Sequence, residues 1–167
     1  MRQIFVSVDI TAPLYFYKEL DTYKIATVSN STSTMHKLAS TPITLDCFEI
    51  DDFNPDLIYY KQEGDAFTPA GENSIKQLSE FFIEQLEFLR QKYNETKDKR
   101  YWKELIRWLP EGWLQTRTWT GNYENLLGIC SPGQRRNHKL TEWSKAFISF
   151  ARKLPYAQEL IFIDEVS

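Results

Sequence analysis

The chain has 167 residues, a length that suits one domain with a sizeable core better than two. Apolar residues make up 42%, charged residues 26%, and the net charge is −3, which excludes a disordered chain and a strongly nucleic-acid-seeking one. No apolar run approaches the roughly 20 residues of a membrane span, and the N-terminal MRQIFVSVDI alternates instead of showing a signal-peptide core, so a cytoplasmic protein off the membrane is expected.

Ile4, Val6, Val8 and Ile10 fall at every second position, which predicts a half-buried strand from Gln3 to Ile10, placed inside a sheet. Pro13 suits the first turn of a helix whose face carries Leu14, Tyr17 and Leu20 and which ends near Tyr23. Residues 24–28 are β-prone, and residues 29–34 crowd short hydroxyl and amide side chains together. That run reads either as a turn followed by a helix cap or as a loop whose donors hold phosphate oxygens. Between Ser40 and Tyr60 the acidic residues Asp46, Glu49, Asp51, Asp52 and Asp56 lack the glycine and closing glutamate of a Ca²⁺ loop, so they read as solvated. Residues 60–72, with Gly64, Pro69 and Gly71, read as a mobile surface connection.

Ser74-Ile75-Lys76-Gln77 has the S-x-x-Q spacing of a capping box and predicts a helix from Ser74. Ile75, Leu78, Phe82, Leu86, Leu89 and Tyr93 step along it as a core stripe, with Phe81 and Phe88 to one side. An apolar arc that wide belongs either to a central helix or to a subunit interface. A charged turn over residues 94–100 leads to a second helix with Trp102, Leu105, Ile106 and Leu109 on one face, stopped by Pro110. Trp113, Gln115, Arg117 and Trp119 then alternate with Leu114, Thr116, Thr118 and Thr120, the period of a strand. Two helices follow in succession, the first opening at Asn122 and the second after Gln134, Arg135, Arg136 and His138. Helix starts carry unpaired N–H groups and a positive dipole end, so these residues read as a site for an anion such as phosphate, with Arg117 as a further contact. The last long helix carries Leu140, Trp143, Phe147, Ala151 and Leu154 on one side, and residues 160–163 add a final strand or dock on the core.

Other chemistries lack their residues. G-x-S-x-G, Walker and Rossmann glycine patterns are absent, Cys47 and Cys130 form no CxxC, and His36 and His138 are too few for a multi-histidine metal centre, so no metal is expected. The cations and tryptophans of residues 97–108 are diluted by Glu95, Asp98 and Glu104, and with the acidic net charge they argue against a nucleic-acid partner.

Leu109-Pro110, an aromatic and threonine-rich strand, Thr120-x-Asn122, Leu126, the basic cluster, His138 and Glu142 together resemble the C-terminal half of the flavin-dependent thymidylate synthases. The resemblance implies an α+β fold with a mixed or antiparallel sheet packed against long helices. It implies a nucleotide site, to which Ser33, Arg117, Arg135 and Arg136 are assigned, and an FAD site, to which Lys24, Asn122 and His138 are assigned. The activity it implies is reductive methylation of deoxyuridylate, with FAD relaying the hydride and homotetrameric sites at subunit interfaces. This chain departs from the family pattern at three places: Asn122-Tyr123-Glu124 stands for Asn-x-Arg, Ser131-Pro132-Gly133 alters the spacing before the histidine, and Thr22-Tyr23-Lys24 replaces an Arg-His-Arg triplet. Met35 and His36 also stand where the family's Ser-x-Arg supplies an arginine. Two functions therefore stay open. One is a nucleotide-binding protein of that family type with a degenerate flavin motif; the other is a non-catalytic binding or inhibitor protein, phage-borne or otherwise, that uses the scaffold to hold a nucleotide or a protein partner.

Overall fold

The computed structural model describes residues 1–23, 26–31, 34–50, 54 and 56–165, with the backbone alone for 34–36. In chain order the elements are strand β1 (Phe5–Pro13), helix α1 (Leu14–Leu20), strand β2 (Val28–Ser31), helix α2 (Thr34–Ser40), strands β3 (Tyr60–Glu63) and β4 (Ala66–Pro69), and helices α3 (Ser74–Thr96) and α4 (Lys99–Trp108). Strand β5 (Leu114–Asn122) follows, then the short helices α5 (Tyr123–Ile129), α6 (Pro132–Asn137), α7 (Ile148–Arg152) and α8 (Ala157–Leu160). A π-helical stretch, Glu142–Phe147, runs directly into α7. These elements form two compact units, Met1–Thr32 with Leu114–Ser167, and Ser33–Trp113. Among the described residues no helix is long and apolar enough to cross a membrane.

The first unit is built on an antiparallel sheet of order β1-β5-β2. Strand β5, not β1, is the middle one. Its nine residues pair with β1 from Phe5↔Asn122 to Pro13↔Leu114 and with β2 from Val28↔Thr120 to Ser31↔Arg117. The alternation that predicted β1 is real, since Val6, Val8 and Ile10 pack on the core, but the other face of β1 is open. One face of β5 carries Trp119 and Gly121 inward. The Trp119 ring lies so close over Gly121 that a Cβ there would stand 2.3 Å from it, so only glycine admits this packing.

Helix α1 ends at Leu20, earlier than its apolar spacing suggested, and is tied to the sheet by Tyr17, whose hydroxyl lies 2.5 Å from the Ile10 carbonyl and 2.9 Å from that of Gln115. Phe16 meets Trp143 at 5.6 Å between ring centroids, and Trp119 meets Phe147 at 5.8 Å, so helix and sheet share one aromatic core. The expected stripe on the last long helix is present, with Trp143, Phe147 and Ala151 buried. Residues 160–163 do not form a strand; they leave α8 through a tight turn that seats Ile161 and Phe162 in the core.

The second unit holds α2 to α4. Helix α3 begins at Ser74 as predicted, but Ser74 does not cap it: Asn73 precedes the helix in a left-handed conformation, and Ser74 Oγ accepts the Tyr59 N–H at 3.0 Å. Residues 60–69 are not a loose connection. Gly64, at φ +65°, and Asp65 make a two-residue turn that lets β3 and β4 pair as a hairpin. Helix α4 is capped by Asp98, which accepts the Arg100 N–H at 2.9 Å, and packs on α3 through Tyr93 and Trp102. Glu87 and Arg90 of α3 hold the end of α2 and the segment after it, through the Ala39 carbonyl and the Ile43 N–H.

Candidate functional site

Both clefts of interest lie in the first unit. One, of ≈ 490 Å³, opens where α1 ends and α5 begins, and is lined by Arg2, Thr22, Tyr23, Ala26, Asn122, Glu124, Asn125 and Gly128. Asn122 lies at the switch from β5 to α5, buried to 2% exposure. Its Oδ1 accepts the Asn125 N–H at 3.0 Å, and Asn125 returns the bond to the Asn122 N–H at 3.0 Å, a reciprocal cap that explains why the helix starts here. The cap uses the amide oxygen, and Asn122 contributes to the lining of the cleft. Arg2 closes the rim by donating to both carboxylate oxygens of Glu124, at 2.5 and 2.9 Å. Each partner stabilises the other's charge, lowering the Glu124 carboxyl below its ordinary range and raising the Arg2 guanidinium. The negative residue where the resembled family has arginine is thus neutralised by a guanidinium from the other end of the chain.

The second cleft, of ≈ 540 Å³, is lined by Tyr15, Lys18 and Glu19 of α1 and by Gln134, Asn137, His138, Lys139 and Leu140. Tyr23, which lines the first cleft, accepts a hydrogen bond from Gln134 Nε2 of the second at 2.7 Å and meets Trp143 in a tilted ring contact at 5.6 Å. One hydrogen bond therefore links the walls of both clefts. Burial, with the nearby negative charge of Glu19, raises the Tyr23 phenol above its ordinary pKa.

Among the described residues, those singled out from the sequence do not line one common cleft. Lys24 and Ser33 lie outside the described residues, as does the side chain of His36. Asn122 lines the first cleft and His138 the second. Arg117 shares a face with Trp119, as its period predicted, but its guanidinium lies 4.1 Å over the Tyr17 ring, donates to Gln115 Oε1 at 2.7 Å and reaches Asp21 at 3.3 Å. The basic cluster precedes the last long helix, which starts at Thr141, but Gln134 to Asn137 are themselves helical, the end of α6, because Pro132 starts a short helix ahead of it.

Arg135 points inward. It donates to the Cys130 carbonyl at 2.5 Å, pairs with Asp164, and reaches Glu165 at 3.2 Å. Arg152 grips the same Glu165 at 2.7 and 2.8 Å, and both guanidinium groups lie over the Phe162 ring. Two arginines are thereby committed to docking the C-terminal turn. Arg136 is exposed and lines neither cleft. Cys130 is no nucleophile, since burial pushes its thiol up to about 12 against the lowering influence of Arg135 and Arg152. The residues missed from the sequence, Arg2, Tyr15, Lys18, Tyr23 and Lys139, reach the clefts only through tertiary pairing, and no local pattern marks them.

No family model matches the chain, and no curated protein matches it in sequence. Among solved structures it is similar to thymidylate synthase X (ThyX) of Helicobacter pylori, in a crystal structure with FAD and dUMP. It is equally similar to a second structure described as the flavin-dependent thymidylate synthase ThyX of the same organism complexed with FAD and dUMP. In each case the TM-score is 0.59 at 15% identity, over 96% of this chain and 72% of the ThyX chain. The chain therefore has an α+β fold of the flavin-dependent thymidylate synthase type, with small antiparallel sheets packed against helices.

Proposed function

We propose that this protein binds a nucleotide on a scaffold of the flavin-dependent thymidylate synthase type, with a pyrimidine nucleotide such as dUMP as its ligand. One observation carries the reading: the likeness extends over 96% of the chain, to structures that hold dUMP and FAD. The Asn122 cleft adds support, because a nearly buried amide side chain and the Tyr23 ring among its lining residues suit a planar ligand with polar edges.

FAD is the harder ligand to place. Its diphosphate needs cations, and in the Asn122 cleft the described residues present one guanidinium, Arg2, already neutralised by Glu124. The described residues there do not fit a dinucleotide's diphosphate, so the proposal is one of binding, without a flavin-borne step. Arg135, bound to two carboxylates, favours the same non-catalytic form of the reading.

Thermal unfolding of the purified protein with dUMP, dTMP and FAD tests this. A ligand at about 100 times its Kd stabilises by about 2.7 kcal/mol, which for a chain of this size raises Tm by roughly 5–10 °C. The expected outcome is such a rise with a pyrimidine nucleotide and a colourless protein that does not take up FAD. No rise with any nucleotide would remove the proposal in favour of a protein-binding role; a yellow protein that retains FAD would restore the flavoenzyme.

A further inference from the structure

We propose that the hollow beside His138 binds a phosphate group, through the Nε2–H of His138 and the ammonium groups of Lys18 and Lys139; it rests on the nucleotide reading only for the molecule that carries the phosphate. The His138 side chain is 9% exposed, and its ring lies parallel on Trp143, 4.5 Å between centroids and 4° between planes. Turning the ring would break that stack. The Leu140 N–H donates to Nδ1 at 3.1 Å, which assigns the proton of the neutral ring to Nε2. Nε2 approaches Glu19 Oε1 only to 3.7 Å, beyond a hydrogen bond. Among the described residues no fully buried side-chain polar atom lacks a hydrogen bond. A ring N–H without an acceptor must therefore reach the surface of the hollow that His138 lines. It is a rigid donor, held in place before any ligand arrives.

The charges around it select an anion. Lys139 and Lys18, the latter with a partner of its own, bring two ammonium groups to the lining and Glu19 one carboxylate, while the neighbouring Glu142 is held by the Tyr15 hydroxyl. A cation would meet both lysines, and an apolar ligand would leave the imidazole N–H without an acceptor. A tetrahedral dianion accepts from three donors at once and gains most from charged ones. Glu19 opposes it, but that side chain is 40% exposed and free to turn into solvent. The anion site thus lies close in sequence to the arginines that looked made for it, and uses the lysines beside them.

The chain has two histidines, so the imidazole ¹⁵N resonances of the whole protein are assigned by His138→Phe, which keeps an aromatic ring on Trp143. Inorganic phosphate, uridine and dUMP are titrated while those resonances are followed. The expected result is that phosphate and dUMP move the Nε2 signal, that uridine does not, and that Nδ1 stays an acceptor. Lys139→Glu is expected to weaken phosphate binding by at least about tenfold, the size of one charge-assisted contact. Glu19→Gln is expected to strengthen it, an increase that a merely structural role would not produce. An Nε2 signal unmoved by inorganic phosphate overturns the inference, and so does dUMP binding with unchanged affinity in Lys139→Glu; in that second case the nucleotide reading stands. Phosphate that moves Nε2 when no nucleotide binds better than phosphate itself supports the site and removes the nucleotide reading.

Discussion

The two units treat their large apolar side chains differently. In the first, Phe16, Tyr17, Trp119, Trp143 and Phe162 are all at or below 2% exposure and meet through the sheet and the last helices. In the second, Leu105 and Leu86 are fully covered, yet Phe67, Phe81, Phe88 and Trp108 stand at least half exposed. Both segments are aromatic-rich, so composition does not make the difference. A strand pairing on both sides with short helices folded over it covers one face completely, whereas a 23-residue helix offers more circumference than α2 and α4 cover. The first unit should therefore lose most when one aromatic is removed, and the second should tolerate changes on its open faces.

The largest effect is expected at Trp143, which touches Phe16, Tyr23, Phe147 and His138 and donates from Nε1 to the Ile129 carbonyl at 3.3 Å. Trp143→Ala should cost about 3–5 kcal/mol, read as a lowered urea midpoint, and should free the His138 ring. Next comes Gly121→Ala. The new methyl would collide with the Trp119 ring, which is 2% exposed and cannot move aside, so a loss of about 1–3 kcal/mol is expected. An undiminished midpoint would mean that the sheet relaxes at β5 more easily than its central position implies.

In the second unit Glu87 sits in a part-buried network of polar contacts. Burial pushes its carboxyl up, but hydrogen bonds from Arg90, the Ile43 N–H and Gln91, with the charge of Arg90, outweigh that and hold it at about 2, below the ordinary 4.5. An unfolded chain therefore takes up this proton first as pH falls. The stabilisation is whole above about 4.5 and fades as pH drops towards 2. Glu87→Gln should cost about 1 kcal/mol near neutral pH, and its difference from the parent should shrink on acidification. A gap that stays constant down to about pH 3 would place the acid sensitivity elsewhere.

What local pattern could reveal follows the same division. Alternation at Val6, Val8 and Ile10, the burial of Leu86, and the start of α5 at Asn122 are all set by neighbours within a turn or a strand, and each was legible. By contrast, Leu78 of the same predicted stripe is 49% exposed and Ile83, outside it, is buried. The position of β1 in its sheet was not, because edge or centre depends on where β2 pairs. The site was harder still. Arg135 finds Asp164 29 residues on, and Arg2 finds Glu124 122 residues on, so cations that read as free are spent within the fold. The threefold environment of His138, a stack, an accepted N–H and an unfilled donor, exists only once α1 and α6 meet the last helix.

The smallest effect is expected on the open face of α3. Phe81 is 58% exposed and Phe88 50%, one heptad apart on the side away from Leu86. If this face is bare in solution, Phe81→Ser should change stability by no more than about 0.5 kcal/mol, because serine there leaves no cavity and strands no polar group. A second copy of the chain packed on the face would reverse that outcome. The loss would then exceed about 1 kcal/mol, the unfolding midpoint of the parent would rise with protein concentration, and the substitution would abolish that dependence. Denaturation at two concentrations about a hundredfold apart separates these cases. It also decides whether the contrast between the units belongs to the single chain or arises because the second unit completes its core in an assembly.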